Sequence, residues 1–271
     1  DNSEVAPSDS VYLATPTDGG RIHIDMQLPK LQTRRCYAAS LCLEDVVFVS
    51  GGAQSPYAND GEVFKSSEML LYESKDKKWL AGPSMKLHRC GHGMVYSVFT
   101  DTIYALGGYG SESKFHSTLE TLSLSRSDIQ HASWILDGRE ISEGRSGHGF
   151  ALGSDRCLYV VGGSSNGSEG MRSCCRLDPR CSSWEEIADL NVARGYTTAG
   201  FDANGYLYAI GGTQDFMGPA DVHLERYDSR MDEWVIAVGS AAGVSELHRG
   251  RHSHSLGIVY PGSTHNIVPA S

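Results

Sequence analysis

Residues 158–196 read LYVVGGSSNGSEGMRSCCRLDPRCSSWEEIADLNVARGY, and four marks in this stretch decide the fold: the apolar run Leu158-Tyr159-Val160-Val161, the pair Gly162-Gly163, Trp184 and Arg194. The same marks recur along the chain. Gly-Gly pairs begin at Gly51, Gly107, Gly162 and Gly211, separated by 56, 55 and 49 residues, and Trp79, Trp134, Trp184 and Trp234 are separated by 55, 50 and 50. From each of the first three Trp to the next Gly-Gly is 28, 28 and 27 residues, so the two series keep phase. A period of roughly 40–50 residues is the signature of a propeller or solenoid.

Each Gly-Gly closes a β-branched or aromatic run: Val46 to Val49, Thr102 to Ala105, Leu158 to Val161 and Tyr206 to Ile210. These compositions suit buried strands. A residue without Cβ then lets the backbone take positive φ and approach a neighbour where the strand ends. A third strand follows, as in Leu70-Leu71-Tyr72 and Glu225-Arg226-Tyr227, and the Tyr lies seven residues before Trp79 and Trp234, the spacing of a hairpin. Such a Trp on the outer strand would bury roughly 150–250 Å² against the adjoining unit. Beyond the Trp an Arg returns, at Arg89, Arg145 and Arg194, with Arg35 and Arg251 in the same slot.

In this order of marks the chain resembles the kelch-repeat family over essentially its whole length. It departs from the pattern at Leu177, where the Tyr is missing, and in the extra residues before Trp134. The resemblance implies an all-β fold, a kelch-type β-propeller of four-stranded antiparallel blades. Four repeats are complete, and the two ends supply the rest: strands over about 10–26, with Asp18-Gly19-Gly20 as the hairpin turn, join strands over 252–271. The expectation is one domain over 1–271 with five blades, six being the alternative count, closed by strands shared between the termini so that no sheet edge stays open.

Composition sets limits on function. With 40% hydrophobic residues a large core is available, and no apolar run nears the roughly 18 residues of a membrane span. The formal charge of −10 disfavours nucleic acid and anionic membranes and favours basic partners. Seven Cys match neither a secreted disulfide framework nor paired zinc knuckles, so a reducing compartment is expected, cytoplasm or nucleus. The chain has no initiator Met and no signal pattern in 1–20, as in a domain taken from a longer protein.

Three candidate chemistries are weighed against plainer roles. His92, His148 and His254 each lie three residues after a repeat Arg and suggest a metal in a central channel, but no carboxylate recurs with them, and lining a wet channel or hydrogen-bonding a neighbouring blade is the preferred reading. Cys174, Cys175 and Cys181 suggest thiol chemistry, yet adjacent strand residues face opposite ways, which favours packing. The repeated Arg suits either backbone carbonyls between blades or an acidic ligand, and repetition itself favours the scaffold. No nucleophile elbow, phosphate loop or zinc-protease motif occurs. Nothing matches the copper site of the galactose-oxidising kelch enzymes. No enzyme activity, cofactor or metal is therefore expected, a sugar-active kelch enzyme being the remote alternative.

In the kelch family, partners dock on one face of the ring. Carried to this sequence, the docking loops begin at Ala53, Tyr109, Ser164 and Thr213 and lie around Tyr37, Gly91, Gly147, Tyr196 and Ser253. Tyr57, Phe64 and Phe216 extend the rim, and Arg35, Arg145 and Arg251 complete the candidate set. The resemblance implies a protein-interaction domain, the substrate-recognition module of a BTB-kelch adaptor for a cullin ubiquitin ligase, reached through a domain outside this chain. An actin-binding cytoskeletal scaffold is the alternative.

Overall fold

The computed structural model describes residues 7–16, 22–43, 46–55, 61–71, 78–124, 129, 132–237 and 266–269. The candidates Tyr57, Arg251, Ser253 and His254 lie outside the described residues, as do Tyr72 and the turn at 17–20.

Strand β1 (Val11–Pro16) pairs antiparallel with β2 (Ile22–Gln27) and with β19 (Asn266–Pro269), a three-stranded sheet drawn from both ends of the chain. Four further sheets are four-stranded antiparallel meanders. Blade 1 comprises β3 (Ala39–Leu43), β4 (Val46–Ser50), β5 (Ser67–Leu71) and β6 (Trp79–Gly82). Blade 2 comprises β7 (Gly93–Ser97), β8 (Thr102–Leu106), β9 (Thr118–Ser123) and β10 (Ile135–Glu140). Blade 3 holds β11 (Gly149–Leu152), β12 (Leu158–Val161), β13 (Cys174–Leu177) and β14 (Glu185–Ile187), and blade 4 holds β15 (Thr198–Phe201), β16 (Leu207–Ile210), β17 (Leu224–Asp228) and β18 (Glu233–Ile236). The first strands of successive blades, β3, β7, β11 and β15, neighbour one another. No helix among the described residues is long and apolar enough to cross a membrane.

The second strand of each blade lies between two cores, and strand alternation divides its side chains between them. In β12, Leu158 and Val160 pack with Tyr104, Leu119 and Phe150 towards blade 2, whereas Tyr159 and Val161 pack with Ala199, Leu207 and Trp234 towards blade 4. Burial on both faces explains why these strands read as unbroken apolar runs rather than as alternating ones. The same alternation separates the two adjacent thiols: Cys174 faces blade 4 and Cys175 faces blade 2.

The Trp residues tie seams together. Trp134 of blade 2 is fully buried, tilts against Phe48 of blade 1 with ring centroids 6.4 Å apart, and donates from Nε1 to the Pro83 carbonyl at 3.1 Å. Trp79 and Trp234 donate likewise to the carbonyls of Pro29 and Ala188. Between the first blade and the terminal sheet, Val11 and Leu28 pack on Val47, Val49, Leu70 and Trp79.

Candidate functional site

The loops from the second to the third strand of each blade share a face with the loops that carry the repeat Arg into the next first strand. This follows from the meander, because the second strand ends where the first begins. Both loop classes are fixed by hydrogen bonds before any side chain is considered. The second Gly of each pair donates to the carbonyl of the next repeat Arg: Gly52 to Arg89, Gly108 to Arg145 and Gly163 to Arg194, each at 2.8 Å. Tyr37, Gly91, Gly147 and Tyr196 all hold positive φ, between 53° and 61°. They are also linked in series: Gly91 donates to Tyr37 O, Gly147 to Gly91 O, and Thr197 to Gly147 O, at 2.8, 2.8 and 3.1 Å.

The arginines belong to this scaffold, which corrects the placing of Arg35 and Arg145 among docking residues. Arg35, Arg89, Arg145 and Arg194 are all buried. Their Nη1 groups donate to the carbonyl of the first Gly of the same blade, Gly51, Gly107, Gly162 and Gly211, and to the carbonyls of Ser66, Thr118, Ser173 and His223. The planar fork spans two backbone segments at once, so these groups stand inside the frame and not on the docking face. Three of them also meet a buried carboxylate: Glu68 at 2.6 Å, Glu120 at 3.0 Å and Glu225 at 3.1 Å. These glutamates escaped the sequence reading, although their 31- to 33-residue distance from the Arg repeats in phase with it.

Ala53, Ser164 and Thr213 are corrected too. Each is buried, because the backbone just after Gly-Gly pairs with the loop at Cys36, Ser146 or Gly195. The same pairing joins Tyr109 to Cys90, yet Tyr109 keeps a half-buried side chain edge-on to Phe115 with centroids 5.1 Å apart. Tyr37 and Tyr196 are half-buried as well, and Tyr196 lies 5.1 Å from the exposed Phe216 while its hydroxyl donates to Gly167 O at 3.1 Å. Burial raises the Tyr196 hydroxyl pKa, so this donor persists throughout the physiological range. Met217 beside Phe216 is 89% exposed, and Phe64 lies against the Arg35 guanidinium. Met217 and Phe115 were not singled out in the sequence, since loop direction and not composition brings them to this face.

His92 and His148 line seams between blades. His92 Nε2 lies 3.0 Å from Ser50 Oγ, and the two rings sit over Gly51 and Gly107, where a Cβ would meet them at 2.7 and 2.6 Å. Among the described residues no group of three or more His, Cys, Asp or Glu is arranged to hold a metal ion.

Comparison with known proteins agrees with this geometry. Residues 145–191, which run from the repeat Arg through blade 3, match the kelch motif. The solved structure of YjhT superposes with a TM-score of 0.69 at 15% identity, covering 93% of this chain and 88% of that one. The fold is a kelch-type β-propeller. Among curated proteins, the propeller is similar to Kelch-like protein 15 of Danio rerio, 24% identical over 80% of this chain and 36% of that protein. It is also similar to Kelch-like protein 34 of Homo sapiens, 27% identical over 69% of this chain and 27% of that protein. The chain thus spans about a third of the length of these relatives.

Proposed function

We propose that this propeller is a non-enzymatic recognition domain that holds a partner protein on the face formed by the loops after Gly-Gly and after the repeat Arg. The observation that carries the reading is a division of labour. The residues that repeat are buried and bonded to backbone, whereas those that differ between blades, Tyr109, Tyr196, Phe216 and Met217, stand at that face. Rigid aromatic side chains on a fixed frame are the usual anchors of protein interfaces. The likeness to Kelch-like proteins supports the finer reading, a substrate-recognition module of a cullin-ligase adaptor working in cytoplasm or nucleus. Seven free cysteines suit such a compartment. An actin scaffold is the competing role, and cosedimentation with filaments separates the two.

The test contrasts two classes of substitution. Tyr196→Ala and Tyr109→Ala are expected to melt within a few degrees of the wild type and to weaken capture of partner proteins tenfold or more, the effect of a contact worth about 1.4 kcal/mol. Trp134→Ala is expected to lose about 3–5 kcal/mol of stability, because it empties a seam. Unchanged capture by both Tyr variants would move the docking surface to another face.

A further inference from the structure

Blade 3 breaks the buried-charge pattern of its neighbours. In blades 1, 2 and 4 the third strand carries Glu68, Glu120 and Glu225 opposite Val49, Ala105 and Ala209. Each carboxylate accepts from the repeat Arg and from two consecutive backbone amides of the incoming loop. The amides are those of Gln32 and Thr33 at 2.6 and 3.1 Å, Lys86 and Leu87 at 2.6 and 3.1 Å, and Asn191 and Val192 at 2.7 and 3.2 Å. In blade 3 the same register places Cys175 opposite Val160.

The rest of the constellation is retained. Arg145 is 2% exposed and donates only to the neutral carbonyls of Glu143, Gly162 and Ser173. Its Nη2 bonds no described residue, whereas in blades 1 and 2 the corresponding atoms reach Ser66 Oγ and Thr118 Oγ1. Ser173 occupies that position in blade 3, and its Oγ is buried without a partner among the described residues. Three and two residues before Arg145, the places held by the amide pairs of the other blades, Ser142 and Glu143 have backbone N–H groups with no acceptor among the described residues. Burial holds the Cys175 thiol at about 12, so it stays neutral and offers no countercharge. Cys Sγ also stands where Glu has Cγ, so the carboxylate beyond it has no counterpart and its position is unfilled by any side chain of that strand. The Arg145 guanidinium thus sits inside the fold without the carboxylate that its three counterparts meet, beside the orphaned Ser173 Oγ, an arrangement that is costly unless something supplies the acceptor.

We propose that blade 3 binds a small monovalent anion, chloride in ordinary buffers, between the Arg145 guanidinium and the amides of Ser142 and Glu143, in the position that Glu carboxylates fill in the other three blades. The ion neutralises Arg145 and satisfies donors that the fold itself leaves open. Its role is structural, since it secures the loop that leads to Gly147 on the loop face.

Thermal melting of the whole chain in sodium chloride and in sodium gluconate at matched ionic strength tests this. Chloride is expected to raise the melting temperature by a few degrees for each tenfold increase in concentration, as a ligand bound only by the native state does, while gluconate does not. Cys175→Glu is expected to melt higher in gluconate and to lose the chloride response. Equal responses to the two salts, or a chloride response that survives in Cys175→Glu, would overturn the proposal. Should the variant fold poorly, wild-type crystals soaked in bromide provide the check. An anomalous peak within hydrogen-bond reach of Arg145, together with the chloride-specific shift, supports the site. Water at that position overturns it, as does a bromide peak without the shift, which would mark an adventitious ion only.

Discussion

His92 and His148 show how a repeated residue can be costly to keep. Both are buried, and His148 Nδ1 and Nε2 and His92 Nδ1 have no hydrogen-bond partner among the described residues. Burial first, then the nearby Arg89 and Arg145 guanidinium groups, hold the two pKa values down to about 3. His116, whose Nε2 faces His88 O at 3.1 Å, is held down to about 4, again chiefly by burial. An unfolded imidazole titrates near 6.5. Between these values the unfolded chain binds more protons than the native one, so stability that is fully present above pH 6.5 is lost as the pH falls towards 3. Urea unfolding is therefore expected to show a midpoint that falls steadily from pH 7 to pH 5, with proton uptake on unfolding. His148→Phe, which keeps an apolar ring at the seam, should flatten the slope. A midpoint that stays constant from pH 7 to pH 5 would mean that these rings protonate in the native state.

At the scale of the strand, the Gly-Gly pairs set how closely blades approach. Gly107 lies at φ +67°, and a Cβ there would come within 2.6 Å of the His148 ring and 2.7 Å of the Arg145 carbonyl. Gly138 on β10 has nothing within 4 Å of the same position. Gly107→Ala is thus expected to cost more than about 2 kcal/mol, from positive φ and a backbone clash together, and Gly138→Ala to be neutral within about 0.5 kcal/mol. Denaturation midpoints of the two variants check the contrast. If Gly107→Ala were as stable as Gly138→Ala, the second strands would not be held at this spacing. Such strands were legible in the sequence because burial on both faces leaves an apolar run ended by Gly-Gly, and the seam-forming Trp because it keeps phase. The docking loops were less legible. Ala53, Ser164 and Thr213 occupy the same repeat position as Tyr109, with the same backbone pairing, and are buried where Tyr109 is not, since side-chain size decides exposure there. The Arg reading leaned to scaffold because the residue repeats, but it kept a docking role open because the same donors suit a ligand as well as a backbone. The recurring Glu on the third strand would have resolved it for blades 1, 2 and 4, and Cys175 in its place marks blade 3 as different.

At the scale of the whole molecule, each blade depends on its neighbours, because no sheet here has a core of its own. Val47 and Val49 of β4 point away from blade 2 and are covered by the terminal sheet through Val11 and Leu28. Leu70 and Trp79 belong to the same cluster, and Trp79 Nε1 donates to Pro29 O just beyond β2. Fully burying a side chain of this size stabilises by about 1.5–3 kcal/mol. Re-exposing four of them, with Val11 and Leu28 removed as well, approaches the whole stability of an ordinary domain, about 5–15 kcal/mol. Removal of residues 1–28 is accordingly expected to abolish cooperative melting and to expose apolar surface that binds a hydrophobic dye, although all four complete blades remain in the chain. The double substitution Val11→Ser and Leu28→Ser, which keeps the strands and cuts only the apolar contact, should give an intermediate loss. Melting of the shortened chain at the wild-type temperature would show that blade 1 can leave this face to water, and the sheet joining the two ends of the chain would then contribute little to stability.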